Sequence, residues 1–204
     1  MKIIKSYASG EYVEKKSRFI GEIFPVKTED EAQEQIAAIR KKYYDARHHC
    51  YAYILESDPV ILKQSDDGEP SQTAGMPILS VLQNEGLSNV LLVVTRYFGG
   101  TLLGTGGLVR SYTAAAKEAV ANAEILESVE GYRAGADIPY TLVGKVKYLT
   151  ENLHIKEEYA DYQENVHMVW LVPEEAMETF QNQIQELSGG TVTLAFTKHR
   201  WYNA

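Results

Sequence analysis

The sequence predicts an α+β chain in two parts, and three observations carry that reading. VLLVV, at positions 90–94, is an apolar run bounded by turn signals, the pattern of a strand buried on both faces. It leads straight into the glycine-rich GGTLLGTGG and a long amphipathic helix marked by Leu108, Tyr112, Ala115, Ala119 and Ala123. After about residue 128 the rhythm changes to two strand–helix–strand units in succession.

Taking the elements in order, Tyr12 to Val26 reads as one long strand with Phe19, Ile23 and Val26 apolar. Thr28 and Glu31 form a capping box, because hydroxyl and carboxylate satisfy free backbone N–H groups reciprocally. Ala32, Ile36, Ile39 and Tyr43 then repeat at helical spacing. His49, Tyr51 and Tyr53 alternate with Cys50, Ala52 and Ile54, as on a strand. KQSDDGEPSQTAG is polar and turn-rich and reads as a loop. Pro77 suits the first turn of a short helix stopped by Gly86. In the second part, Tyr132, Ala134, Ala136 and Ile138 alternate as a half-buried strand, and Thr141 is placed to cap a helix carrying Leu142, Val146, Leu149 and Leu153. A strand over Ile155–Ala160 and another over Val166–Val172 follow. Pro173 opens a helix that Gly189 and Gly190 end, and Val192, Leu194 and Phe196 close with a last strand. The resulting β-α-β-β-α-β order is the ferredoxin-like pattern. The predicted domains are therefore 1–128 and 129–204.

Composition narrows the function classes. Among 204 residues, 28 acidic against 20 basic side chains leave a net charge of −8, so any nucleic-acid contact must use a local patch. The basic residues concentrate in the first part. There is no apolar run of roughly 18 residues to span a bilayer. The opening MKIIKSYASGEYVEKK is too charged for a signal peptide, which makes the cytoplasm the expected compartment. A single cysteine, Cys50, excludes an internal disulfide and a multi-cysteine zinc site.

Three segments could carry chemistry. In TRYFGGTLLGTGGLVRSY a strand delivers Arg96 to its end, Gly99, Gly100, Gly104, Gly106 and Gly107 follow, and a helix begins near Gly107 with Arg110 on it. Amides freed by glycine, a helix N-terminus and two guanidinium groups suit an anion or phosphate-backbone site. The glycines could equally serve only to turn the chain and let helix and strand pack closely. The spacing matches neither a Walker A loop nor a dinucleotide-binding fingerprint. In SDDGEPSQTAG the carboxylates of Asp66, Asp67 and Glu69 could hold Mg²⁺ or act as a base, or form a solvated turn. In ARHHCYAY, Arg47, His48 and Tyr51 could form a base-stacking platform, or belong to an ordinary tyrosine-rich strand. His48 and His49 point to opposite strand faces and make poor joint metal ligands. No catalytic residue, metal site or cofactor is predicted.

HCYAYIL, SDDGEPSQTAG and VLLVVTRYFGGTLLGTGGLVRSY, in that order between Arg18 and Ala123, together resemble the IMPACT (YigZ) family. The second part resembles the small C-terminal domain of bacterial members, similar to domain five of elongation factor G. The resemblance implies that the first part has the fold of the C-terminal half of ribosomal protein S-five, a sheet covered on one face by helices. Such domains often contact structured RNA. Eukaryotic members regulate translation by competing for the co-activator of a stress-responsive kinase, using an RWD domain that these 204 residues do not contain. The expected function is therefore a non-enzymatic, translation-associated protein binding RNA or ribosomal components. The alternatives are an enzyme acting on a phosphorylated or nucleotide substrate through a Mg-binding DDGE turn, and a protein-interaction module with a translation-related partner.

Overall fold

The structure, a computed structural model, describes residues 1–203. It is α+β, as the sequence predicts, with two five-stranded sheets and five α-helices. Two compact units divide at residues 127 and 128. The strands of the first unit are β1 (Lys2–Ile4), β2 (Ala8–Glu14), β3 (Ser17–Pro25), β4 (His48–Leu55), β5 (Ile61–Ser65) and β6 (Val90–Tyr97). Its helices are α1 (Glu29–Lys42), α2 (Gly75–Asn84) and α3 (Gly104–Ala121). The main sheet is antiparallel in the order β2-β3-β6-β4-β5, which puts the VLLVV strand at its centre. All five residues of that run are fully buried, and successive side chains feed opposite faces of the sheet. Val90, Leu92 and Val94 pack with Ile78 and Leu82 of α2 and with Leu108, Tyr112 and Ala115 of α3. Leu91 and Val93 pack with Ala32, Ile36 and Ile39 of α1.

That arrangement corrects the expectation of helices on one face only. The pair α2 and α3 covers one face, and α1, with its own apolar stripe, covers part of the other. The expected capping box forms with a shift of one residue: the Glu31 amide donates to Thr28 Oγ1 at 3.1 Å, and the Glu31 carboxylate accepts the amide of Lys27, just before the N-cap, at 2.6 Å.

Other segments also depart from the sequence expectation. The single strand over Tyr12–Val26 is a hairpin, β2 and β3, turning at Lys15 (φ 47°) and Lys16 (φ 66°). Both residues are left-handed, the geometry of a two-residue hairpin turn, but Lys-Lys lacks the Asn-Gly signature of such a turn. Lys63, Gln64 and Ser65 of the supposed loop belong to edge strand β5, where one-sided pairing with β4 tolerates polar residues.

The second unit, Ser128–Asn203, contains most of β7 (Ile125–Ile138), then α4 (Tyr140–Asn152), β8 (Lys156–Tyr162), β9 (Val166–Pro173), α5 (Met177–Leu187) and β10 (Ala195–Asn203). Its sheet runs β10-β7-β9-β8, the order of the ferredoxin-like pattern. Trp170 and Phe180 meet edge to face at 5.4 Å in a core shared by Ala136, Val146, Met168 and Ile184. Thr141 does not cap α4. Pro139 precedes the helix and its carbonyl accepts the Leu142 amide at 2.8 Å, so the fixed proline φ sets the start. Val192 and Leu194 lie outside the last strand, because the Ser188 side chain holds the Val192 amide at 3.2 Å against the end of α5. No described helix is long and apolar enough to cross a membrane.

One contact fixes how α3 sits on its sheet. Gly10 and Gly21 face each other across β2 and β3. A Cβ on Gly21 would lie 2.5 Å from the Ala115 carbonyl oxygen, and one on Gly10 would lie 2.5 Å from the Glu118 carbonyl carbon. Both obstacles are helix backbone and cannot rotate away. Gly21→Ala is therefore expected to destabilise the chain by about 1–3 kcal/mol, the usual cost of overpacking. Urea denaturation measures it, and a midpoint unchanged from wild type would contradict this packing.

Candidate functional site

The acidic turn and the start of the glycine loop meet in one cleft of about 680 Å³. Its walls come from the Asp45–His48 segment leading into β4, from Glu69, and from the Arg96–Phe98 end of β6 with Leu102 beyond it. Register explains the meeting: His48 opens β4 directly opposite Arg96 on β6.

Arg96 lies at the base of this cleft. It is 7% exposed, with its guanidinium 5.5 Å from the Phe19 ring centroid and 5.7 Å from that of Phe98. Arg96 Nη1 donates to Glu69 Oε1 at 2.5 Å, and the same oxygen accepts the Tyr112 hydroxyl at 2.8 Å. The Tyr112 hydroxyl in turn lies 3.3 Å from Cys50 Sγ, which lies 3.0 Å from the Asp66 carbonyl oxygen. Burial pushes both the Tyr112 phenol and the Cys50 thiol up, so both keep their protons near neutral pH. Arg96 Nε has no acceptor.

The other two acidic residues of the turn are structural. Asp66 accepts the amides of Gln72 (2.8 Å), Ala74 (3.0 Å) and Gly75 (2.9 Å), capping α2 from outside the helix. Asp67 takes Arg40 at 2.5 Å and the His49 amide at 2.6 Å, and its carbonyl oxygen lies 2.9 Å from His48 Nδ1. Donors thus already fill both carboxylates. Among the described residues, no group of three or more His, Cys, Asp or Glu side chains is placed to hold a metal.

Chain membership follows from comparison with known proteins. Residues 15–120 match the Impact N-terminal domain and residues 137–191 match a domain of unknown function, DUF1949. The IMPACT family member YvyE of Bacillus subtilis is 39% identical over 92% of this chain and 86% of its own length. The chain belongs to the IMPACT family. YigZ of Escherichia coli, another IMPACT family member, is 32% identical over 88% of this chain and 89% of its own. The crystal structure of a hypothetical protein covers 95% of this chain and 95% of its own with a TM-score of 0.60 at 30% identity.

In this IMPACT chain the residues singled out from sequence fall into separate groups. Arg47, His48, Glu69 and Arg96 line the cleft. Tyr51 does not reach it. That side chain stacks on Tyr53 at 6.2 Å and packs with the α1 cluster, because odd-numbered positions of β4 face away from Arg96. Gly99 sits against Lys16 and Ser17, where any Cβ would come within 2.0 Å of backbone, and its amide donates to Ser17 Oγ at 3.1 Å. It is a packing residue. Gly100 is exposed in the loop. Gly104, Gly106 and Gly107 form the first turn of α3, so the helix begins earlier than the sequence suggests. Arg110 lines a different, smaller pocket with Gly107. Arg96 and Arg110 therefore do not share one anion site.

Sequence reasoning missed Tyr97, Phe98, Leu102 and Asp45. Phe98 is 55% exposed and Leu102 is 84% exposed at the cleft. The signal was an aromatic pair directly after Arg96 and before the glycines, where a strand end presents its side chains outward. The Tyr97 hydroxyl donates to Asp45 at 2.7 Å, which pushes the phenol up to about 12 and leaves Arg47 as the cleft's unpaired cation among the described residues.

Two predictions follow from the buried chain of contacts. Glu69→Ala strands the Arg96 charge and is expected to cost roughly 3–5 kcal/mol, with most of it recovered in Glu69→Ala/Arg96→Met. Chemical denaturation of the single and double variants checks this. Cys50 is expected to resist iodoacetamide at pH 8 until the chain is unfolded, since the reactive species is the thiolate. Because the unfolded thiol loses its proton first, with a pKa of about 8.5, its contribution holds below that pH and declines above it. Cys50→Ala should flatten that decline in a denaturation series from pH 7 to 10.

Proposed function

We propose that the chain is a translation-associated protein that holds unpaired RNA in the cleft between Asp45–His48 and Arg96–Leu102. One observation supports this above the others: an unpaired guanidinium, Arg47, lines the same cleft as an exposed ring, Phe98. Single-stranded nucleic acid is bound by this combination, a cation for the phosphates and an aromatic face for a base. His48 adds a hydrogen-bonding edge, and Arg96 Nε offers a donor from below. Membership of the IMPACT family supports the link to translation, the process its eukaryotic members regulate. The Mg-dependent enzyme reading loses its support, since Asp66 and Asp67 are engaged by the chain itself.

With Arg47 as the cleft's one unpaired cation among the described residues, binding is expected to weaken only gently with salt, with a slope of about one. Fluorescence anisotropy with labelled single-stranded and duplex RNA, from 50 to 300 mM salt, tests the reading. The expected result is preference for the single strand. Phe98→Ala should lose about 1–3 kcal/mol, and Arg47→Ala should lower the salt slope by about one. Absence of binding at low salt, or indifference to both substitutions, would reject it. Partners that survive nuclease treatment and need Phe98 would point instead to a protein ligand.

A further inference from the structure

A second pocket lies where α3 begins, and it goes beyond the reading of the cleft. It is small, about 100 Å³, and lined by Gly107, Arg110 and Ser111 of the helix, by Leu103 just before it, and by Tyr12, Glu14 and Lys15 at the β2 hairpin end. We infer that it is a binding site for a single phosphate group.

Three independent features converge there. First, α3 is 18 residues long and starts without a cap: Leu103 supplies no side-chain acceptor and the first turn has no acidic residue. The amides of Gly104, Thr105 and Gly106 therefore lack intrahelical partners, and the helix dipole adds partial positive charge. α2 shows the contrast, since Asp66 fills the same requirement there. Second, Ser111 is 1% exposed and its hydroxyl has no hydrogen-bond partner. A buried hydroxyl left unbonded is costly, and an oxyanion in the pocket would satisfy it. Third, two cations meet there without ion-pair partners among the described residues. Arg110 folds back over the first turn, with one guanidinium nitrogen 3.5 Å from where a Cβ on Gly106 would stand, and Lys15 lies at the hairpin tip.

One group opposes the ligand. Glu14 lines the pocket, its carboxylate accepting the Tyr12 hydroxyl at 3.2 Å. Two cations against one carboxylate still leave net positive charge. The volume accommodates a tetrahedral oxyanion. Free phosphate and the terminal phosphate of a larger ligand share this chemistry.

Isothermal titration of the full chain with inorganic phosphate, and in parallel with glycerol 3-phosphate, at fixed ionic strength tests the inference. Saturable binding is expected for at least one of them. Tighter binding of the monoester would identify a larger ligand as the source, and equal or tighter binding of inorganic phosphate would identify the free ion. Arg110→Gln should weaken binding about tenfold or more and Ser111→Ala about fivefold. Glu14→Gln, which keeps an acceptor for Tyr12 and removes the opposing charge, should tighten it. Melting curves without phosphate confirm that each variant is folded. No saturable heat with either probe, or the same affinity in Arg110→Gln and Ser111→Ala, overturns the site. Loss of phosphate binding in Arg47→Ala would move the anion to the cleft and also overturn it. RNA binding by the cleft is read separately, so either result can fail alone.

Discussion

A guanidinium held between two aromatic rings and almost cut off from water must have a carboxylate beside it, and Glu69 supplies one to Arg96. Around that pair the first unit is organised. Arg96 ends the central strand, Glu69 closes the acidic turn, Tyr112 comes from the middle of α3 and Cys50 from β4. Each is buried, and each depends on the next for its hydrogen bond. The chain of contacts joins two strands, a turn and a helix at one end of the sheet, next to the cleft. The rigidity of the cleft base and the stability of the domain therefore rest on the same atoms.

Much of the fold was legible because it depends on local periodicity. The VLLVV run, the Thr28–Glu31 box and the alternation at Val166–Val172 each mark an element whose type follows from the spacing of apolar residues. The elements that escaped depend on something non-local. β5 is a strand only because β4 lies beside it, and the Lys15–Lys16 turn is left-handed only because β2 must return along β3. The position of α1 on the second face cannot be read from its stripe, which shows that a face is buried and not where.

The candidate site was legible as a set of segments and not as a geometry. Arg47, His48, Glu69 and Arg96 do come together. Tyr51 was separated from them by strand parity, and Arg110 by the length of the loop before α3. Asp66 and Asp67 looked like ligands because three carboxylates crowd one turn. Their actual partners, the α2 amides, Arg40 and the His49 amide, come from backbone geometry and from residues 18 and 27 positions away in sequence. No spacing rule relates a carboxylate to the helix start it will cap.

The external cap on α2 has a thermodynamic consequence. A helix capped by its own preceding residue can fray by itself. Here the first turn of α2 can loosen only if Asp66 lets go, and Asp66 sits in the turn that also carries Asp67 and Glu69. Loosening the helix start and disordering the cleft floor are accordingly one cooperative event, so the amides of Ala74 and Gly75 and the strand amide of His49 should share a single protection against solvent hydrogen.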